Sequence, residues 1–189
     1  LIQLGDDIAF TLETIKPIRE DDEYGGFRAG LIAQHETIST PLKVDITAGD
    51  RITPGAIRHQ FQSVFSEKSI NVWAYNLETI LAEKVETILR RGIFNTRPRD
   101  FYDVYILLKK FPDAYNPKIF SDAFGATAEH RNSLHTFKDI EKILANIQND
   151  KEMQQHWEQY RKDNDFAKDI SFEAVLQAIL DISSDLSLD

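Results

Sequence analysis

The first 75 residues show the alternation of apolar and polar positions that is typical of β-strands. The clearest case is PLKVDIT at 41–47, in which apolar residues at 42, 44 and 46 alternate with polar residues at 43, 45 and 47. The segments 8–15, 27–33 and 70–75 are rich in β-branched and aromatic residues and predict further strands. A charged segment at 20–26 that ends in two glycines predicts a turn.

From residue 76 onward, apolar residues recur at intervals of three and four, which predicts helices. Asn76 suits the N-cap of the first helix, and Gly92 suits its C-terminal end. A second helix is expected at 99–110, with weaker helical patterns at 117–130, 136–148, 150–163 and 171–182. The chain is therefore predicted to be an α+β protein with a sheet portion at 1–75 and a helical portion at 76–189.

Charge and composition exclude several classes of protein. The chain has 22 Lys and Arg against 31 Asp and Glu, a formal net charge of −9. This balance argues against general DNA binding, which needs an excess of basic residues on one face. Because there is no cysteine, disulfides and thiolate chemistry are absent. No transmembrane-length apolar stretch and no signal peptide is recognisable, so we expect a cytoplasmic protein that does not bind membranes.

The first candidate for a functional site is the pair Lys43 and Asp45 on the polar face of the 41–47 strand. A carboxylate on a rigid strand can hold a divalent cation, and a nearby lysine can contact a phosphate. Lysine is also common on edge strands, where it discourages pairing with other chains. Lys-x-Asp is a weak signal, and by itself it favours the edge-strand interpretation.

The second candidate is a lysine within the apolar stripe of the first helix. Lys84 lies four residues after Ile80 and four before Ile88. Glu83 and Glu86 lie outside the stripe and are expected to be surface charges. Lys84 either packs its stem on the core and extends its ammonium to water, or places the ammonium in a cleft, where it needs anionic partners. The residue alone supports both interpretations about equally.

The third candidate is the charged start of the second helix, RPRDFYDVYIL at 97–107. Pro98 suits the first helical turn, and Asp100 and Asp103 favour the positive end of the helix dipole, so a structural role is slightly favoured. The two aspartates also share one helix face. Arg97 and Arg99, near a helix N-terminus, could bind phosphates bidentately.

The three candidate motifs, in their order along the chain, resemble those of the AbiEii/AbiGii-type nucleotidyltransferase toxins. These toxins are a family of the DNA polymerase β-like nucleotidyltransferase superfamily. The resemblance covers roughly residues 7–110. It rests on LKVDITAGDRITP at 42–54, LETILAEK at 77–84, and NTR followed by RDFYDVY within 95–105. It implies a nucleotidyltransferase-like mixed sheet with flanking helices, followed by a helical C-terminal region.

The resemblance also implies Mg²⁺-dependent transfer of a nucleotide from an NTP to an acceptor, either an RNA such as a tRNA end or a protein. Such a protein would be the toxin of a bacterial type IV toxin–antitoxin, or abortive-infection, system of phage defence, with a cognate antitoxin as partner.

The resemblance also assigns roles to individual residues. By position in the motifs, Asp45 matches a metal-binding strand carboxylate, and Lys43 matches the lysine that precedes it. Lys84 matches a lysine that contacts the NTP phosphates, while Asp100 and Asp103 match the two acids of RDFYD. The predicted catalytic residues are thus Asp45, Lys84 and Asp100, and the predicted nucleotide-binding residues are Lys43, Arg97, Arg99 and Asp103.

The chain departs from the family pattern near its N-terminus. The family's first motif is a Gly-Ser turn followed by Asp-x-Asp, and nothing in residues 1–30 fits it. Without those aspartates a metal site is incomplete, so we expect this chain to be weakly active or inactive as a transferase. Two alternatives stay open. One is a degenerate, non-catalytic member that binds nucleotide, RNA or an antitoxin. The other is a helical interaction protein in which all three clusters are structural.

Overall fold

The structure is a computed structural model that describes residues 2–3, 7–18, 25–64 and 67–187. Strands occupy the N-terminal part and helices the rest, which confirms the predicted α+β class. The chain forms two compact units, Leu1–Asp50 and Arg51–Asp189. The turn predicted at 20–26 lies mostly outside the described residues.

The first unit contains an antiparallel sheet with strand order β1-β2-β3-β4. It differs from the mixed sheet that the resemblance implies, because every strand pairing in the described residues is antiparallel. The physical reason is the length of the connections: β3 and β4 are joined by a two-residue turn, whereas parallel strands need a crossover of about a dozen residues or more. The strands are β1 (Ile2–Gln3), β2 (Ala9–Ile18), β3 (Gly26–His35) and β4 (Ile38–Thr47).

The pairing of β3 with β4 separates an apolar face from a polar face, which confirms the alternation predicted at 41–47. On the polar face, Arg28 lies opposite Asp45 and Gly30 lies opposite Lys43. On the other face the cross-strand pairs are apolar, namely Phe27 with Ile46, Ala29 with Val44 and Leu31 with Leu42. Both candidate residues of this strand therefore share the polar face of the sheet.

The second unit begins with a hairpin of β5 (Ile57–Gln62) and β6 (Ser69–Ala74). The sequence predicts β6 but not β5, because IRHQFQ contains only two large apolar residues, separated by a histidine on the same face. The last strand ends at Ala74 and the first helix begins at Leu77 in the described residues. The boundary between the two compact units falls elsewhere in the sequence, between residues 50 and 51. The division into domains at 75/76 stays a prediction.

All predicted helices are present, and their boundaries differ from the prediction by a few residues. The largest difference is at the fourth helix, which starts at 140 rather than 136 because Asp139 caps it by accepting from the Lys142 N–H at 3.0 Å. No helix in the described part of the chain is long and apolar enough to cross a membrane. The helices are α1 (Leu77–Arg91), α2 (Pro98–Lys110), α3 (Pro117–His130), α4 (Ile140–Asn149), α5 (Lys151–Asp163) and α6 (Phe172–Ser183).

The core of the second unit is formed by the apolar faces of these helices. Leu81, Val85 and Ile88 of α1 are fully buried, as their helical spacing predicts. Phe101 of α2 packs against Phe172 of α6, with ring centroids 6.1 Å apart. Burial of these side chains fixes α1 and α2 beside each other, so that polar residues at the edges of their buried faces meet.

Asn76 connects the start of α1 to the loop before the hairpin. Its Oδ1 accepts from the Thr79 N–H at 3.3 Å, and its Nδ2 donates to the Thr53 carbonyl at 2.8 Å. We expect Asn76→Ala to lower the free energy of unfolding by about 2 kcal/mol, because both the cap and a largely buried hydrogen bond are lost. Asn76→Ser should lose roughly half as much, because serine keeps the cap. Equal losses in chemical denaturation would show that the cap contributes nothing.

Candidate functional site

Lys84 of α1 contacts two carboxylates of α2. Its Nζ lies 2.7 Å from Asp103 Oδ2 and 3.3 Å from Asp100 Oδ1. The Lys84 side chain is 21% exposed, so it lies neither in the core nor fully in water. Burial of Leu81 and Val85 on the adjacent face of α1 directs Lys84 toward α2. Lys84 is therefore a cleft lysine with anionic partners, one of the two arrangements that the sequence allows.

The two aspartates are fixed by the way α2 begins. Pro98 occupies the first turn, and Asn95 Oδ1 accepts from the Arg97 N–H at 2.9 Å, although no side chain caps the helix directly. Asp100 is only 3% exposed. A carboxylate can be buried there because the lysine, the Arg97 side chain and the positive end of the helix dipole all stabilise its charge.

Arg97 and Arg99 complete a cluster of five charged residues. Arg97 Nε lies 3.0 Å from Asp100 Oδ2; since that oxygen has no hydrogen-bond partner in the described residues, the contact is an ion pair only. Arg99 Nε lies 3.7 Å from Asp103 Oδ2, and its side chain is 80% exposed. We call Lys84, Arg97, Arg99, Asp100 and Asp103 the charged cluster. Three cations and two anions give it a formal charge of +1 in a chain of net charge −9.

This arrangement can bind an anion. A lysine ammonium has three N–H donors, and two of those of Lys84 go to the aspartates. The third has no hydrogen-bond partner in the part of the chain that the structure describes. The two carboxylates fix the direction of the ammonium and also repel an incoming phosphate, a repulsion that the two arginines offset.

The candidate residues of β4, Lys43 and Asp45, belong to the first unit. Asp45 accepts two hydrogen bonds from Arg28, from Nε at 2.6 Å and from Nη2 at 2.7 Å. This bidentate pair follows from the strand register, which places the two residues opposite each other. The hydrogen bond and the charge of Asp45 raise the pKa of the Arg28 guanidinium. Both carboxylate oxygens of Asp45 thus bind a protein cation, and Lys43 is exposed beside them.

The described residues do not fit a resident Mg²⁺. No group of three or more acidic or histidine side chains in the described ranges is placed to hold a metal ion. Asp100 and Asp103 are paired with cations, and Asp45 is paired with Arg28. Mg²⁺ prefers several oxygen ligands in near-octahedral geometry, which these paired carboxylates do not offer.

Glu86 corrects one expectation from the sequence. Predicted to be a surface charge, it is fully buried. Its Oε2 lies 2.5 Å from Arg131 Nη1, and its Oε1 accepts from Arg90 Nε and Ser133 Oγ, both at 2.8 Å. Two of these partners lie more than forty residues away in sequence, so the helical pattern of α1 contains no signal for them. The network ties α1, which carries Lys84, to the end of α3.

Comparison with known proteins gives one match. A family model described as the nucleotidyl transferase AbiEii toxin, of a type IV toxin–antitoxin system, matches residues 2–178. No curated protein and no solved structure matches the chain. The match extends well beyond residues 7–110, to which the resemblance seen in the sequence is confined, and includes α3, α4 and α5.

Proposed function

We propose that the chain, which belongs to the AbiEii nucleotidyl transferase toxin family, binds a nucleoside triphosphate at the charged cluster and transfers its nucleotide to an acceptor. A type IV toxin–antitoxin family implies a cognate antitoxin. The observation that supports the site is the state of Lys84, which is partly buried, held by two carboxylates and left with one N–H donor for a ligand. Asp100 and Asp103 position this donor, and Arg97 and Arg99 supply further positive charge.

The proposed chemistry is nucleotidyl transfer. An acceptor hydroxyl attacks the α-phosphorus, the bond to the bridging α–β oxygen breaks, and pyrophosphate leaves. The protein contributes mainly positioning and neutralisation of phosphate charge. In this proposal Lys84 contacts the phosphates from the cleft, and the two arginines contact them from the solvent side. Asp103, the more exposed of the two aspartates, would accept the proton of the acceptor hydroxyl.

Asp45 and Lys43 stay in the proposal as the residues to which the resemblance assigns a metal and a phosphate contact. Mg²⁺ that enters with the triphosphate, rather than a resident ion, would add to the neutralisation of phosphate charge. A cation at Asp45 would have to displace Arg28, because both carboxylate oxygens already accept hydrogen bonds from it.

The second candidate function is nucleotide binding without transfer. The paired state of Asp45 and the lack of a metal-binding group in the described residues favour it. The two functions share the charged cluster and differ only in whether the bound nucleotide is transferred.

One assay separates the two functions. The chain is incubated with each α-labelled NTP, Mg²⁺ and a bacterial extract of total RNA and protein, and both bound and transferred label are measured. Transfer that Lys84→Ala or Asp45→Ala abolishes would support the enzyme, and binding without transfer would support the second function. Sensitivity of the product to ribonuclease or to protease would identify an RNA or a protein acceptor. If no NTP binds, both functions are contradicted.

A further inference from the structure

Three aromatic side chains lie together near the start of α2, Phe166 exposed and Tyr102 and Tyr160 partly buried. Tyr102 lies 5.0 Å from Phe166 and 6.0 Å from Tyr160, measured between ring centroids. Tyr160 and Phe166 meet edge to face at 6.3 Å. Phe166, in the turn after α5, is 61% exposed. We call these three residues the aromatic platform.

The aromatic platform adjoins the charged cluster. Tyr102 directly precedes Asp103 in α2 and follows Arg99 by three residues, so it shares a helix face with the arginine. Tyr160 is close to the same two charges. Its pKa is raised mainly by burial and further by the negative charge of Asp103, while Arg99 acts in the opposite direction. The aromatic platform therefore lies close to Arg99 and Asp103 of the charged cluster.

A buried tryptophan packs against one ring of the aromatic platform. Trp157 of α5 stacks on Tyr160, with ring centroids 5.6 Å apart and an interplanar angle of 30°. Trp157 is 1% exposed, and its Nε1 donates to the Ile170 carbonyl at 3.2 Å. Because Tyr160 is already packed on this buried ring, a ligand stacking on Tyr160 loses little affinity to side-chain ordering.

Phe166 contributes little to the stability of the core. With most of its surface in water, it gains only part of the stabilisation that burial of a phenylalanine provides. An exposed aromatic ring in a group that lies near Arg99 suits a ligand that combines a flat ring with phosphates, and a nucleotide has both. The positive charge of the neighbouring cluster favours a nucleotide over an uncharged aromatic ligand.

We propose that the aromatic platform stacks the base of the nucleotide whose phosphates bind the charged cluster. The inference rests on the proposed function, because it assigns the base of the same ligand. Stacking on an aromatic side chain contributes about 1–3 kcal/mol per base and tolerates all four bases. The platform therefore predicts affinity for the base with weak selectivity among ATP, GTP, CTP and UTP.

The test compares ligands with and without a base. Phe166→Leu keeps an apolar side chain but removes the ring, and we expect it to weaken binding of each NTP about tenfold. Binding of inorganic tripolyphosphate, which has no base, should stay unchanged. Phe166→Tyr should restore NTP affinity. Phe111→Leu is the control: this half-exposed ring at the other end of α2 lies roughly 16 Å along the helix from Asp100.

The outcomes separate the platform from the cluster. Unchanged NTP affinity in Phe166→Leu would overturn the stacking role, and so would an equal loss of tripolyphosphate affinity. Lys84→Ala should weaken both ligands. If it weakens neither while Phe166→Leu weakens the NTPs, the platform stands and the phosphate site is wrong. If no NTP binds to the unmodified chain, both proposals fail.

Discussion

Lys84→Ala is expected to weaken binding of a nucleoside triphosphate by about 10- to 100-fold, the loss expected for a hydrogen bond between charged groups. The ammonium is held by Asp100 and Asp103 and turns one donor away from them, so alanine removes the only cation that the cluster holds within the cleft. The same variant should lose affinity for inorganic tripolyphosphate by a similar factor, since Lys84 contacts phosphate and not base. Isothermal titration of both ligands measures the effect.

Lys118→Ala is the matched control for Lys84→Ala. Lys118 also pairs with an aspartate, Asp122 at 3.0 Å, but its side chain is 85% exposed on α3. We expect this variant to bind both ligands as the unmodified chain does. Because Lys84 also stabilises the buried Asp100, the folded fraction of each variant must be measured. A Lys84→Ala protein that is destabilised but binds NTP normally would show that the cluster is structural.

Glu86→Ala is expected to lower the free energy of unfolding by about 3 kcal/mol, at the lower end of the range for breaking a buried ion pair because both arginine partners are partly exposed. The substitution leaves Arg131 and Ser133 without their carboxylate partner and creates a cavity in a fully buried position. Chemical denaturation monitored by circular dichroism measures the change. The end of α3 should loosen first, and hydrogen exchange can detect this.

Two further variants separate charge from packing at Glu86. Glu86→Gln keeps the volume and one acceptor oxygen but removes the charge. Its free energy of unfolding should therefore lie between that of the unmodified chain and that of Glu86→Ala. Glu129→Gln removes an exposed carboxylate of α3, and its effect should stay within about 0.5 kcal/mol. If Glu86→Ala also changes the free energy of unfolding by no more than about 0.5 kcal/mol, the buried network does not stabilise the fold.

The helices were predictable because their signals are local. The N-cap at Asn76, the terminal Gly92 and the spacing of apolar residues in α1 all lie within the segment that they define. The same holds for the alternation in β4, where neighbouring residues determine the two faces. In α1, propensity, capping and burial agree; β4 is exposed on both faces, and its alternation and pairing place it.

The partners of the charged residues could not be predicted in the same way. Nothing in the helical pattern around Glu86 shows that Arg131 and Ser133 will meet it. The bidentate contact between Arg28 and Asp45 depends on the register of β3 against β4, which the two strands taken separately do not reveal. The strand β5 was missed because polar residues dominate it and its stability depends on pairing with β6.

At the site, the sequence left two arrangements of Lys84 open, an ammonium that reaches water and an ammonium in a cleft with anionic partners. The structure shows the second, with Asp100 and Asp103 as the partners. Their contact depends on the loop between α1 and α2, whose path the motifs do not specify. Five of the seven predicted residues meet in one cluster, while Lys43 and Asp45 belong to the first unit. The functional roles of all seven stay predictions.

The most direct test of the nucleotide site is a crystal structure of the chain with an NTP analogue that cannot be hydrolysed between its α- and β-phosphates. We expect a phosphate oxygen about 3 Å from Lys84 Nζ, with Arg97 and Arg99 on the solvent side of the triphosphate. If the triphosphate binds elsewhere and Lys84 stays paired only with Asp100 and Asp103, the proposed nucleotide site is wrong.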